Sequence, residues 1–276
     1  MKITDLQGTV SLHNGVEMPY FGLGVFKVND GDEVYEACSF ALNNGYRHID
    51  TAALYGNEIG VGKAVRESEL GRSDVFVTSK VWNTDQGYET TLKAFDKSME
   101  RLDIDYLDLY LVHWPKEKSK DTWKALEKLY ADGRVKAIGV SNFLQHHLED
   151  LLQSAEVVPM VNQMEFSPQL VQQSLIDFCV QNKIQYESWS PLMQGQVFEI
   201  QELKDLATKY NKTIAQIVLR WNLQKGVVTI PKSVNPNRII ENASIFDFEI
   251  SAEDMRAINS LDQGYRVGAD PDNFDF

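Results

Sequence analysis

Four side chains of this sequence suit proton transfer to a carbonyl. Asp50, Lys80 and His113 each end a short apolar run, and Tyr55 lies in the loop that follows the first of them. A phenol titrates near a pKa of about 10, so it is protonated at neutral pH and able to donate. A lysine ammonium beside it stabilises the phenolate left behind, and a carboxylate keeps that lysine charged and oriented. A histidine donor opposite the tyrosine would polarise the carbonyl oxygen, which becomes negative as hydride arrives. Taken singly, each residue has an ordinary explanation: Asp50 as a cap, Lys80 as a strand-end lysine with its amine in water, His113 as a satisfied core histidine, Tyr55 as a loop residue. Their meaning rests on whether the fold brings them together.

None of these side chains is a hydride source, so the chemistry needs a nicotinamide. The glycine fingerprint of a dinucleotide-binding open sheet is missing: Gly22-Leu23-Gly24-Val25 lacks the third glycine and is not followed immediately by a helix. Side chains and a helix start must then hold the phosphates. In Ile230–Arg238, Lys232 and Ser233 follow an apolar run and Arg238 falls in the first turn of the next helix. A cation, a hydroxyl and a guanidinium near a helix N-terminus suit a phosphate monoester. Alone, the same residues would also read as a surface loop. A metal-dependent hydrolase would want His and Asp ligands clustered at strand ends, and the histidines at 13, 48, 113, 146 and 147 do not provide that, so no metal is expected.

The elements that must position these residues alternate along the chain. Alternating residues around Asn14-Gly15 predict an N-terminal β-hairpin. Strands are predicted at Tyr20–Val25, Arg47–Asp50, Val75–Lys80, Tyr106–His113, Ala137–Ser141, Met160–Gln163, Gln185–Trp189 and Val227–Ile230. Helical patterns occupy 32–44, 57–68, 88–101, 121–132, 144–154, 169–182, 199–210, 213–224, 236–243 and 251–262. Asp32 and Ser251 stand where N-caps belong, and Gly45 and Gly133 follow helices as C-terminal glycines do. Eight strands alternating with helices, without a linker or a dinucleotide fingerprint, predict one α/β domain over 1–276, a (β/α)8 TIM barrel with an N-terminal β-hairpin. Barrel sites form at the carboxyl ends of the strands. Those ends here are Asp50, Lys80, His113, Ser141-Asn142, Gln163, Trp189-Ser190 and Lys232-Ser233, which converge on one rim.

The formal net charge of −13 disfavours nucleic acid and anionic membranes as partners. The two cysteines, Cys38 and Cys179, are far apart and read as buried thiols in a reducing compartment. With no apolar leader at the start and no run of spanning length, a cytoplasmic location is expected.

The chain resembles the aldo-keto reductases along essentially its whole length. Three motifs carry the likeness: Gly45-Tyr46-Arg47-His48-Ile49-Asp50-Thr51-Ala52 running on to Tyr55 and Asn57-Glu58; Lys136-Ala137-Ile138-Gly139-Val140-Ser141-Asn142-Phe143; and Ile230-Pro231-Lys232-Ser233 with Arg238 and Glu241-Asn242. The resemblance implies a catalytic tetrad of Asp50, Tyr55, Lys80 and His113, with Tyr55 as general acid. It also implies NADPH, with its carboxamide on Ser141, Asn142 and Gln163, its ring stacked on Trp189, and its pyrophosphate along Ser190 and Leu192. Lys232, Ser233 and Arg238 would take the 2′-phosphate, with Glu241 and Asn242 near the adenine.

Within the family the chain is similar to short bacterial members, the glyoxal/methylglyoxal reductases and the 2,5-diketo-D-gluconate reductases; the stretch Ser79–Glu89 resembles the glyoxal reductases most. Two departures matter: Trp189 stands where many relatives have tyrosine, though the bacterial branch often has tryptophan, and Ser167 stands where a histidine or asparagine is common there, a change not expected to touch the chemistry. Phe26, Trp82 and Trp114 should wall the substrate pocket. A brief tail after Leu261 predicts an open cleft for small carbonyls, and a monomer is expected. The alternatives are a keto-sugar acid reductase and a non-catalytic NADPH-binding regulatory barrel.

Overall fold

The structure, a computed structural model, describes residues 2–276. Eight parallel strands form its frame: β3 (Leu23–Gly24), β4 (His48–Asp50), β5 (Phe76–Val81), β6 (Leu107–Val112), β7 (Val135–Ser141), β8 (Val161–Glu165), β9 (Gln185–Trp189) and β10 (Val228–Thr229). Each pairs with its neighbour in sequence. The two ends of this sheet meet, because Phe21 bridges Thr229 and Gly24 bridges Lys232 in parallel. Thr229 N–H donates to the Tyr20 carbonyl, and Gly22 N–H returns the bond to Thr229. The sheet is thus the closed barrel the alternation predicts.

Ahead of it, β1 (Thr9–Ser11) and β2 (Glu17–Pro19) form the hairpin, with Gly15 left-handed in the turn. His13 bonds the Val158 carbonyl and Asn14 donates to that of Lys136, both near the amino ends of strands, so the hairpin plugs the end of the barrel opposite the predicted site.

The helices surround the barrel: α1 (Asp32–Asn43), α2 (Glu58–Arg66), α3 (Tyr88–Leu102), α4 (Ser119–Ala131), α5 (Gln145–Leu152), α6 (Gln173–Gln181), α7 (Gln201–Tyr210), α8 (Ile214–Gln224), α9 (Pro236–Ala243) and α10 (Ala252–Asn259). The two-residue period of the strands separates an outer apolar layer from the interior. Tyr110 of β6 points outward to Phe95 of α3, ring centroids 5.1 Å apart, which turns Leu109, Leu111 and the following His113 inward.

Ser251 caps α10 through the Asp254 amide, and Gly45 and Gly133 take left-handed conformations just past α1 and α4. Asp32 does not cap α1. Gly31, at φ 85°, is the N-cap and leaves Asp32 in the first turn, where its charge still opposes the helix dipole. The predicted helix over 169–182 begins only at Gln173, because a Ser167–Leu170 bridge and a left-handed Gln172 occupy the preceding turn. Both cysteines are buried and free. Among the described residues no helix is long and apolar enough to cross a membrane.

Candidate active site

Three adjacent strands carry the charged centre. Asp50 closes β4, Lys80 lies one residue from the end of β5, and His113 follows β6 directly. Tyr55 ends a short 3-10 turn over Ala53–Tyr55. Lys80 is fully buried and donates to Asp50 Oδ1 at 2.7 Å and to the Thr51 carbonyl at 2.9 Å. Its Nζ sits 5.1 Å from the centroid of the half-buried Tyr55 ring. The His113 ring meets Tyr55 edge-on at 5.7 Å and Trp82 at 5.0 Å. The four residues predicted to act together are neighbours at one mouth of the barrel.

Buried polar residues lock the Tyr55 loop. Asn57 donates to the Val25 and Val28 carbonyls at 2.9 and 3.0 Å and accepts from Thr51 at 2.6 Å. Glu58 accepts from Ser79 at 2.6 Å and from Arg101 at 2.7 Å. These bonds tie the loop to β5 and α3, so the phenol is presented on a rigid support.

Burial holds the Tyr55 phenol above its ordinary value, against the pull of the Lys80 charge. For Lys80, burial alone would favour the neutral amine, but the Asp50 charge, joined by that of Tyr55 once it ionises at high pH, outweighs it and keeps the ammonium above its ordinary value. Burial first, and then Lys80, hold His113 well below its usual range. At neutral pH the centre therefore combines a protonated phenol, a cationic lysine and a neutral imidazole.

Beneath it lies a polar layer in which sequence reasoning named Asp50 and Gln163 but missed Glu187. Gln163 Nε2 donates to Asp50 Oδ2 and to Glu187 Oε2, each at 2.8 Å. Burial, followed by the Asp50 charge, pushes Glu187 up to about 8. His48, 3.9 Å from Glu187, is pushed down to about 4, chiefly by burial. The available signal was the strand period: Glu187 shares the inward phase of β9 with Trp189.

The remaining predicted residues surround the same mouth. Ser141 donates to the Gln163 carbonyl at 2.9 Å. Asn142, left-handed at φ 65°, donates to the His113 carbonyl at 2.9 Å and accepts from the Trp189 indole at 2.9 Å. Past β9, Ser190 is left-handed and Leu192 partly buried, in a sharply turning segment that continues to Gly195. Lys232 and Arg238 are exposed and join no ion pair among the described residues, while Ser233 is buried. Asn235 caps α9 and accepts from the Asn237 and Arg238 amides at 3.0 and 3.2 Å. Those helix-start amides are thus already engaged, and the Lys232 and Arg238 side chains are what the loop offers a phosphate. Glu241 and Asn242 lie on α9, Asn242 buried.

Phe26 leans on Tyr55 at 4.9 Å, and Trp82 and Trp114 complete an aromatic wall. The expectation of an open cleft needs correction. Phe274 packs on Trp114 at 4.8 Å, and Phe276 lies parallel to Trp82 at 5.7 Å. Fifteen residues of extended chain reach up to about 50 Å, so a brief tail still crosses the mouth. Glu165 accepts from the Val267 and Gly268 amides at 2.6 and 3.1 Å, and Gly268 lies so close against Trp189 that no side chain fits there. Asp272 pairs with His146 at 3.0 Å and His147 at 3.3 Å. His147 Nδ1 already accepts from the Leu144 amide, which leaves Nε2 to donate to Asp272, so these contacts join the tail to α5.

A closed β/α barrel with a Tyr–Lys–Asp–His centre at the carboxyl ends of its strands defines a class of carbonyl-reducing proteins. The chain belongs to the aldo/keto reductase family, whose family model matches residues 20–263. It is 62% identical over 274 residues to glyoxal reductase of Bacillus subtilis, covering 99% of both chains. It is 45% identical over 270 residues to methylglyoxal reductase DkgA of Escherichia coli, covering 96% of this chain and 97% of that one. Among solved structures, a single-substitution mutant of Gox0644 in complex with NADPH superposes with a TM-score of 0.93 at 43% identity, covering all of both chains. An aldo-keto reductase from a Medee basin deep-sea metagenome library gives 0.95 at 46% identity, covering 97% of this chain and 100% of that one.

Proposed function

We propose that the protein reduces small aldehydes and α-dicarbonyls of the glyoxal and methylglyoxal type to alcohols, with NADPH as cofactor. The observation that carries this reading is the buried Lys80–Asp50 pair, 2.7 Å apart, set against the Tyr55 phenol and beside a neutral His113. Named relatives that reduce glyoxal and methylglyoxal, and a neighbour that holds NADPH, support the same reading.

The residues present fit the cofactor. Lys232 and Arg238 are exposed cations without carboxylate partners among the described residues, suited with Ser233 to a 2′-phosphate. Ser141, Asn142 and Gln163 offer polar groups to a carboxamide, Trp189 a stacking face, Ser190 and Leu192 a turn along the pyrophosphate, and Glu241 and Asn242 contacts to adenine. The bound nicotinamide supplies the hydride. Tyr55 donates the proton that turns the developing alkoxide into an alcohol, and Lys80, kept charged by Asp50, stabilises the phenolate that remains. His113, uncharged, donates a hydrogen bond to the carbonyl oxygen and orients it without competing as an acid. Phe26, Trp82 and Trp114 exclude water and favour small substrates.

NADPH absorbance followed with glyoxal, methylglyoxal, 2,5-diketogluconate and a simple aldehyde tests the proposal, with Tyr55→Phe as control. Turnover across the small carbonyls supports it. Strict preference for the sugar acid would make the protein a keto-sugar acid reductase, and tight NADPH binding without turnover would make it a regulatory barrel.

A further inference from the structure

Glu187 is wholly buried inside the barrel, directly opposite Gln163 in the β8–β9 register, and nothing in the proton-donating centre uses it. One of its oxygens accepts from Gln163 Nε2; the other is sealed from solvent without a hydrogen-bond partner among the described residues. A buried carboxyl so incompletely satisfied destabilises a core that an apolar residue would fill better, so its presence asks for a role.

The Gln163 amide supplies one. A glutamine amide can turn either its oxygen or its NH2 to a ligand. Here both N–H bonds are directed to carboxylates, one on Asp50 and one on Glu187, at 2.8 Å each. Among the described residues Gln163 Oε1 accepts no hydrogen bond, and unlike the free oxygen of Glu187 it is not sealed from solvent. Two acceptors on one side permit a single orientation of the amide, with its oxygen toward the mouth.

We propose that Glu187 is a positioning residue that, together with Asp50, clamps Gln163 so that its carbonyl oxygen receives the N–H of the nicotinamide carboxamide. The proposal rests on the cofactor reading above. Asp50, Lys80 and His48 face Glu187, with Tyr55 beyond them. The clamp operates whether Glu187 is ionised or protonated on its free oxygen, because the clamping oxygen accepts in both forms. With Glu187 removed, Asp50 alone holds the amide and a rotated rotamer becomes accessible.

The test is the binding of NADPH against its 3-acetylpyridine analogue, whose methyl ketone has no N–H, read by quenching of tryptophan fluorescence. Wild type should prefer NADPH by about tenfold, the scale of one hydrogen bond. Glu187→Leu and Glu187→Ala, checked for folding by circular dichroism, should narrow that preference to about twofold or less, whereas Glu187→Gln, whose amide oxygen still accepts from Gln163, should restore it. Unchanged preference in either folded truncation overturns the clamp, as does failure of Glu187→Gln to restore what truncation removes. Absence of any preference in wild type would instead overturn the contact between Gln163 and the carboxamide, and with it that part of the cofactor reading.

Discussion

The proton-donating centre and the phosphate loop sit on one rim of one barrel, yet they are built in opposite ways. Around Lys80 the polar groups form a buried chain of hydrogen bonds: Asp50 holds the ammonium, Gln163 holds Asp50, and Glu187 holds Gln163. Around Arg238 and Lys232 the side chains stand in solvent with no ion-pair partner among the described residues. A buried network sets protonation states and geometry, because charges interact strongly where water is excluded. An exposed pair of cations contributes affinity that salt screens. Changes at the first region should appear in turnover and stability, and changes at the second in cofactor affinity alone.

The largest expected effect is at Tyr55. Tyr55→Phe removes the proton donor but keeps the ring against Phe26 and His113, so kcat should fall by about 10³-fold, within the range of general-acid catalysis. NADPH affinity should stay within about twofold, since the hydroxyl is not among the groups assigned to the cofactor. Steady-state rates and a fluorescence titration check both halves, and equal losses in each would erase the distinction between the two regions. Next comes Lys80→Met, which leaves Asp50 buried without its cation. Breaking a buried pair in this way costs about 3–5 kcal/mol, so urea unfolding should show a loss of that order together with loss of turnover. Arg238→Ala should be milder. It should weaken NADPH binding by about tenfold at low salt, less at high salt, and leave NADH binding and thermal stability unchanged. A comparable loss for NADH would show that Arg238 does not read the extra phosphate.

The exposed and the buried halves also differed in how far the sequence disclosed them. Strand ends were readable because an apolar run that stops at a polar residue marks both the strand and its rim position, as at Asp50, Lys80 and His113. The Lys232–Arg238 loop is readable from residue type, and so is its cap: an asparagine one residue before Pro236 signals that Asn235 takes the helix-start amides for itself. Glu187 is harder to read because it lies inside Gln185–Trp189, where only the alternation of faces, and not the strand's end, marks it as inward. The tail escaped for a different reason. Phe274 and Phe276 reach Trp114 and Trp82 through an irregular segment held by Glu165, His146 and His147, and such contacts between distant residues leave no period in the sequence.

The smallest effect concerns pH, and it separates the two regions most finely. His113 is held well below its usual range, and Lys80 and Tyr55 lie above theirs, so none of the three changes charge near neutrality and the reductive kcat should be level from about pH 5.5 to 7.5. Glu187 is the exception, pushed up to about 8. Above that pH its ionisation puts a second negative charge beside Asp50, which raises the Tyr55 phenol further and makes it a weaker acid. The sign is therefore a decline on the alkaline side, of about two- to threefold, since the phenol is already protonated and only its donor strength changes. Glu187→Gln cannot ionise, and its profile should stay level through pH 8. The stability curve should carry the same signature. A carboxyl whose folded value is raised contributes stability that is lost as pH rises through that value, so unfolding temperature should fall more steeply between about pH 5 and 8 in wild type than in Glu187→Gln. Arg238→Ala should leave both curves unmoved. A decline near pH 8 that survives in Glu187→Gln would assign the titration to another group and separate Glu187 from the proton donor.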